Sequence, residues 1–131
     1  ELLGQEPEFF DQPEPYPSYQ ALDIADVVVG PDSTLTYESV ARGNKTAVFT
    51  IRGELLGLRG FSYGWPGNFP DEGSFWTNKA SPEIFNRILD HLFLVDDAQW
   101  REEASFSPLM VYDPGNSKFK EILIKELGAR S

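Results

Sequence analysis

The chain has no cysteine and a single histidine, His91. The first absence excludes a disulfide framework and any thiolate metal site. The second rules out a histidine-rich metal site and makes any Ser-His-Asp triad depend on one residue. Basic residues are also scarce. Eleven Lys and Arg stand against 21 Asp and Glu, for a net charge of −10. That balance argues against non-specific nucleic-acid binding, which needs a cationic surface. It leaves room for a nucleotide, which needs only a local anion site. No apolar run approaches the roughly 20 residues of a membrane span, and no signal peptide is visible.

What is present suffices for one domain. The 131 residues are 40% hydrophobic and 14% aromatic, enough to bury a core. The chain opens on Glu1 rather than Met, so a piece of a larger protein is expected. Residues 1–15 are acidic and carry Pro7, Pro13 and Pro15, which reads as an extended lead-in. Residues 16–131 are then the folded domain.

The stretch YPSYQALDIA suits a helix, with Pro17 in its first turn and Tyr16, Tyr19, Ile24 and Ala25 toward a core. Val27, Val28 and Val29 form a run apolar on both faces, as a central parallel strand requires. Thr34 to Arg42 reads as a short helix, capped by Asp32 or Ser33 and ended by Gly43. Lys45 to Ile51 is the second clear strand. Helix, strand, helix, strand is the rhythm of a doubly wound sheet.

Residues 53–74 differ, with glycines alternating with Phe61, Tyr63, Trp65 and Phe69. A loop this long is usually functional or mobile. It either closes over a ring-shaped ligand or, with Trp65, Phe69 and Trp76, plugs the gap between sheet and helices. SFWTN, residues 74–78, is a third, short strand at most.

Ser81 and Pro82 open the clearest helix, with Ile84, Phe85, Ile88, Leu89 and Leu92 as its apolar stripe. DDAQWREEA begins another, with an aspartate cap. NSKFKEILIKELG is the last, with Phe119, Ile122, Leu123 and Leu127 inward. The fold class expected is α/β: a partial doubly wound, Rossmann-like parallel sheet with few strands and a helical C-terminal half.

In open α/β sheets ligands sit beyond the carboxyl ends of the strands. Gly30-Pro31-Asp32-Ser33-Thr34 lies there, followed by a helix whose first N–H groups and dipole suit a phosphate. Glu38 follows Thr34 by four residues, about one turn or ~5.4 Å along the same face. A carboxylate there suits a vicinal diol such as a ribose. The plainer alternative also stands: Ser33 and Thr34 as caps, and Glu38 with Arg42 as a surface i,i+4 pair. His91 lies off its helix's apolar stripe and reads as solvated. Asp71 and Glu72 are adjacent loop carboxylates, poor grounds for a glycosidase pair.

ADVVVGPDSTLTYESVARGNKTAVFTI resembles the nucleotide-sugar-binding segment of GT-B-type glycosyltransferases and of their non-hydrolysing, UDP-GlcNAc 2-epimerase-like relatives. There a strand ending in Asp-Ser precedes a helix bearing a glutamate. The segment is more closely similar to proteins of surface or capsular polysaccharide biosynthesis in bacteria. Those carry a comparable DSTLxYExxARG and a later GxFW, here Gly73-Ser74-Phe75-Trp76. The resemblance covers residues 25–51 well and 73–77 loosely.

It implies a GT-B C-terminal domain in which Asp32, Ser33 and Thr34 form the phosphate-binding turn, with Leu35 beside them among the substrate-binding residues, and Glu38 is the ribose carboxylate. Arg52 is a weaker match to a phosphate or sugar contact. The epimerases have Gly-Gly after the serine. Thr34-Leu35 replaces it here, so close backbone approach to the diphosphate is less assured. The resemblance further implies transfer of a sugar from a nucleotide donor to a glycan acceptor, with no cofactor and no metal. The catalytic base would lie in an N-terminal domain, so this chain alone would be inactive. The location implied is cytoplasmic, free or peripheral at the inner membrane, and an exposed sheet edge leaves self-association open. A nucleotide-sugar epimerase fragment and a non-catalytic α/β interaction module remain the alternatives.

Overall fold

The computed structural model describes residue 4 and residues 17–58, 60–65, 67–105 and 117–128. The lead-in, Gly4 apart, and Tyr16 lie outside them.

The first helix, α1 (Pro17–Ile24), begins on the proline, whose missing N–H is harmless in a first turn. Leu22 is its buried residue, while Ile24 is 72% exposed, contrary to the inward position expected for it. Polar contacts hold α1 to α2 (Thr34–Ala41). Tyr19 Oη donates to Glu38 Oε2 over 2.5 Å. Asp23 accepts from Arg42 Nε and Nη2. Tyr19 and Asp23 are one turn apart on α1, as Glu38 and Arg42 are at α2, so the two pairs match across the helices. Glu38 and Arg42 therefore do not pair with each other. Each finds a partner on α1.

Among the described residues three parallel strands form the sheet, in the order β1 (Val28–Gly30), β2 (Thr46–Phe49), β3 (Trp76–Thr77). Val28 pairs with Thr46 and Gly30 with Val48, while Val48 also pairs with Trp76. The valine run is thus an edge strand rather than a central one, and Val29 is 54% exposed. The central place belongs to β2, whose Thr46, Ala47 and Val48 are fully buried, as a strand covered on both faces requires. SFWTN does contain a strand. It docks on β2 through Val48 N–H donating to the Phe75 carbonyl and Thr50 N–H to the Thr77 carbonyl, each 2.9 Å.

After β2 the glycine-aromatic segment is not all loop. It begins with α3 (Arg52–Leu56), closed by Gly57 in the left-handed region at φ 64°. Beyond it the aromatics divide. Tyr63 is buried, stacks on Trp76 at 4.5 Å and meets Phe69 edge-on. Phe69 and Trp76 therefore fill space beside the sheet, as one expectation had it. Trp65 does not, being 65% exposed.

Ser81 Oγ caps α4 (Pro82–Leu94) by accepting from Ile84 N–H, and Ile88 and Leu92 are its fully buried residues. Asp96 Oδ1 accepts from Gln99 N–H at the start of α5 (Asp97–Ser105). Trp100 on α5 is buried against Phe75, and its Nε1–H reaches the Gly43 carbonyl at 2.9 Å. The core lies between these helices, α2 and the sheet. In α6 (Ser117–Gly128), Phe119, Ile122, Leu123 and Leu127 are exposed rather than inward. The apolar stripe is there, but no described element covers it. No helix among the described residues is long and apolar enough to cross a membrane.

Candidate functional site

Asp32 follows β1 by two residues, and Arg52 opens α3 just past β2. Parallel pairing brings both to one end of the sheet. Asp32 accepts from Arg52 Nε (3.2 Å) and Nη2 (3.0 Å). The Asp32 side chain is 13% exposed and that of Arg52 55%. The carboxylate beside it raises the Arg52 pKa further above its ordinary value. The guanidinium also lies over the Phe61 ring, 5.5 Å from its centroid. Beside this pair opens a cleft of about 470 Å3, lined by Asp32, Tyr37, Arg52, Gly60, Phe61, Ser62 and Trp65.

The turn into α2 is built by Ser33. Its backbone is extended, its Oγ accepts from Thr36 N–H at 3.3 Å, and its carbonyl accepts from Tyr37 N–H. Ser33 Oγ also lies 2.9 Å from Thr36 Oγ1. The N–H groups of Thr34 and Leu35, in the first helical turn, have no acceptor among the described residues. Thr34 is exposed and Leu35 half-buried.

Of the six residues expected to form a site, Asp32 and Arg52 touch, and Ser33, Thr34 and Leu35 follow Asp32 directly. Glu38, one turn after Thr34, accepts from Tyr19 on α1, and of the six only Asp32 and Arg52 line the cleft.

Tyr37 was missed. Its hydroxyl accepts from Gly64 N–H at 2.9 Å, tying α2 to the aromatic loop. Burial raises its pKa, against the opposing Gly64 bond, so the phenol stays protonated. One turn after Ser33, Tyr37 was marked in the sequence only by that spacing, which does not reveal that it reaches Gly64.

Elsewhere, Glu72 pairs with Arg87 at 3.0 Å and Lys79 at 3.5 Å, and Asp71 accepts from Asn78. Those bonds commit both carboxylates to structure. His91 is not fully solvated: its Nε2 lies 2.8 Å from Glu103 Oε2 on α5. No group of three or more His, Cys, Asp or Glu among the described residues is arranged to hold a metal ion.

A family model described as "putative O-antigen biosynthesis protein" matches residues 2–127. No curated protein and no solved structure matches the chain.

Proposed function

The chain belongs to that O-antigen biosynthesis family, and from this premise we propose that it is the donor-binding part of a glycosyltransferase of surface polysaccharide biosynthesis. The donor is a nucleotide sugar. Residues 16–131 form the unit that holds it, and a further domain supplies the acceptor side and the catalytic base. The observation that carries the reading is the meeting of Arg52, Asp32 and the first turn of α2 beyond the carboxyl ends of β1 and β2. That is where open α/β sheets take their ligands.

In this reading the diphosphate lies at the Thr34 and Leu35 amides, with the Thr34 hydroxyl beside them. Asp32 holds Arg52 next to the turn. Charge developing on the leaving diphosphate is met by donors already in place, which favours the transition state. Glu38 serves the ribose by exchanging the Tyr19 hydroxyl for a diol.

A second reading, a non-catalytic α/β module, draws support from Leu55 and Leu56, each 64% exposed on the helix that begins with Arg52. One titration separates the two. UDP, GDP, CMP and their sugar derivatives are added to the labelled chain while the amides of Ser33 to Glu38 are followed. Donor binding shifts those amides. No shift at millimolar nucleotide, with the fold intact, leaves the module.

A further inference from the structure

We propose that the Trp65 side of the cleft binds a neutral pyranose residue, its apolar face stacked on the indole. This rests on the proposed reading of the chain as a sugar-handling unit, and it names which part of a substrate the cleft beside Arg52 takes.

The first observation is the display of Trp65. The indole is 65% exposed, yet the turn that leads into it is tied to neighbouring elements. Tyr63 is buried and its N–H donates to Asn78 Oδ1 at 2.8 Å. Gly64 sits at φ 71°, where a side chain is strained, and its N–H donates to Tyr37 Oη. Trp65 N–H closes on the Ser62 carbonyl at 3.2 Å. An aromatic ring held out by a fixed turn is a prepared surface. A pyranose presents a face of polarised C–H groups, which complements the negative face of the indole.

The second observation is the polar floor. Asp32 matches the Arg52 charge, so the floor is close to neutral. The pair itself therefore offers little net charge, and the diphosphate of the donor reading is left to the Thr34 and Leu35 amides beside it. A planar Arg–carboxylate pair instead sets donors and acceptors side by side. Arg52 Nη1 makes no bond among the described residues, and the Asp32 oxygens keep unused lone pairs. Tyr37 Oη accepts from Gly64 and keeps its own proton to donate. Vicinal hydroxyls want that combination. The volume of about 470 Å3 admits one sugar ring or two, within the ~300–1,000 Å3 of small-molecule sites.

The pyranose has two sources, the sugar half of the donor or a residue of the acceptor glycan, and the test separates them. The chain is applied to a printed array of neutral and acidic glycans. In parallel, UDP-glucose, UDP-galactose, UDP-N-acetylglucosamine and UDP alone are titrated into the wild type while indole fluorescence is read. Because Trp65→Ala and Trp65→Phe both lose the reporting ring, they are compared with the wild type on the array and by calorimetry, with thermal melting as the folding control. The expected result is retention of neutral glycans or quenching by a sugar nucleotide but not by UDP. Array retention, or the calorimetric gain of the sugar nucleotide over UDP, falls at least tenfold in Trp65→Ala and is largely kept in Trp65→Phe. Array binding marks an acceptor, and quenching by the sugar nucleotide alone marks the donor. A folded Trp65→Ala that binds like wild type, or no neutral sugar bound in either format, overturns the inference. If UDP still shifts the Ser33–Glu38 amides in that case, the donor reading survives it. Neutral glycans bound without any nucleotide response would leave the sugar site and remove the donor.

Discussion

Thr46→Val should destabilise the protein more than Ser39→Ala, although both remove one hydroxyl from the same buried contact. Ser39 on α2 and Thr46 on β2 are fully buried, and their hydroxyl oxygens lie 2.9 Å apart. Thr46 Oγ1 also donates to the Asn44 carbonyl at 2.8 Å. A hydroxyl has one proton. With that of Thr46 committed to Asn44, Ser39 must be the donor between the two. Ser39→Ala then removes one accepted bond and leaves Thr46 still donating, a net loss of ~0.5–1.5 kcal/mol. Thr46→Val orphans a buried Ser39 donor, at ~1–3 kcal/mol, and deletes the bond to Asn44, at ~0.5–1.5 kcal/mol. The double variant has no orphan, so it should recover part of the Thr46→Val loss rather than add to it. Urea unfolding followed by tryptophan fluorescence measures all three, compared at constant slope. Equal losses for the two single variants, or a double variant equal to their sum, would refute the proton assignment. That outcome would mean Ser39 turns back to its own helix carbonyl instead.

Other residues permit simpler tests. Thr50 Oγ1 is fully buried with no partner among the described residues. Thr50→Val should therefore be neutral or stabilising by up to ~1 kcal/mol, and a loss above ~1 kcal/mol in urea unfolding would reveal a hidden partner. A Cβ on Gly73 would lie 2.2 Å from the Trp76 ring. Gly73→Ala should cost ~1–3 kcal/mol and alter the near-ultraviolet dichroism, and an unchanged spectrum and melting point would contradict the packing. Burial pushes the Glu103 carboxyl up, but bonds from His91, Ser74 and Gln99 outweigh it and leave its pKa below the ordinary 4.5. A depressed folded-state pKa stabilises fully above that ordinary value and is lost as pH falls through and below it. The melting-point gap between wild type and Glu103→Gln should accordingly narrow from pH 6 to pH 3. A constant gap would mean that the carboxylate is not held ionised by these partners.

The parts of this fold that local chemistry decides were legible in the sequence. Ser81 before Pro82, with Ile84, Ile88 and Leu92 following at helical spacing, specifies α4 without help from elsewhere. Ser33 before Thr34, and Gly43 at φ 91° after Arg42, bracket α2 for the same reason. What depends on distant pairing was not legible. The valine run is apolar enough for a central strand, yet sheet order put β2 in the middle, and nothing within Val27–Val29 encodes which neighbours it will lack. The stripe of α6 says that the helix can bury one face, but not that anything in this chain covers it. Glu38 and Arg42 have the spacing of an intrahelical pair, and Tyr19 and Asp23, some twenty residues earlier, took both.

The candidate site lies between those two cases. Asp32 and Arg52 are twenty residues apart, and no local rule joins them. Parallel register does. Gly30 pairs with Val48, so Asp32 leaves the sheet two residues past β1, at the same end where Thr50 and Arg52 leave it past β2. Any βαβ unit with this register brings those positions together, and the residue types then decide what the junction is for. Two apolar residues would have extended the core. A carboxylate and a guanidinium, with Tyr37 anchoring an aromatic turn above them, leave an open polar floor under an exposed ring. Ser39 and Thr46 lock α2 against β2. Since Tyr37 and Ser39 share that helix, the contact that holds the core also holds the rim of the cleft. Loosening it through Thr46 should reach the site as well as the stability curve.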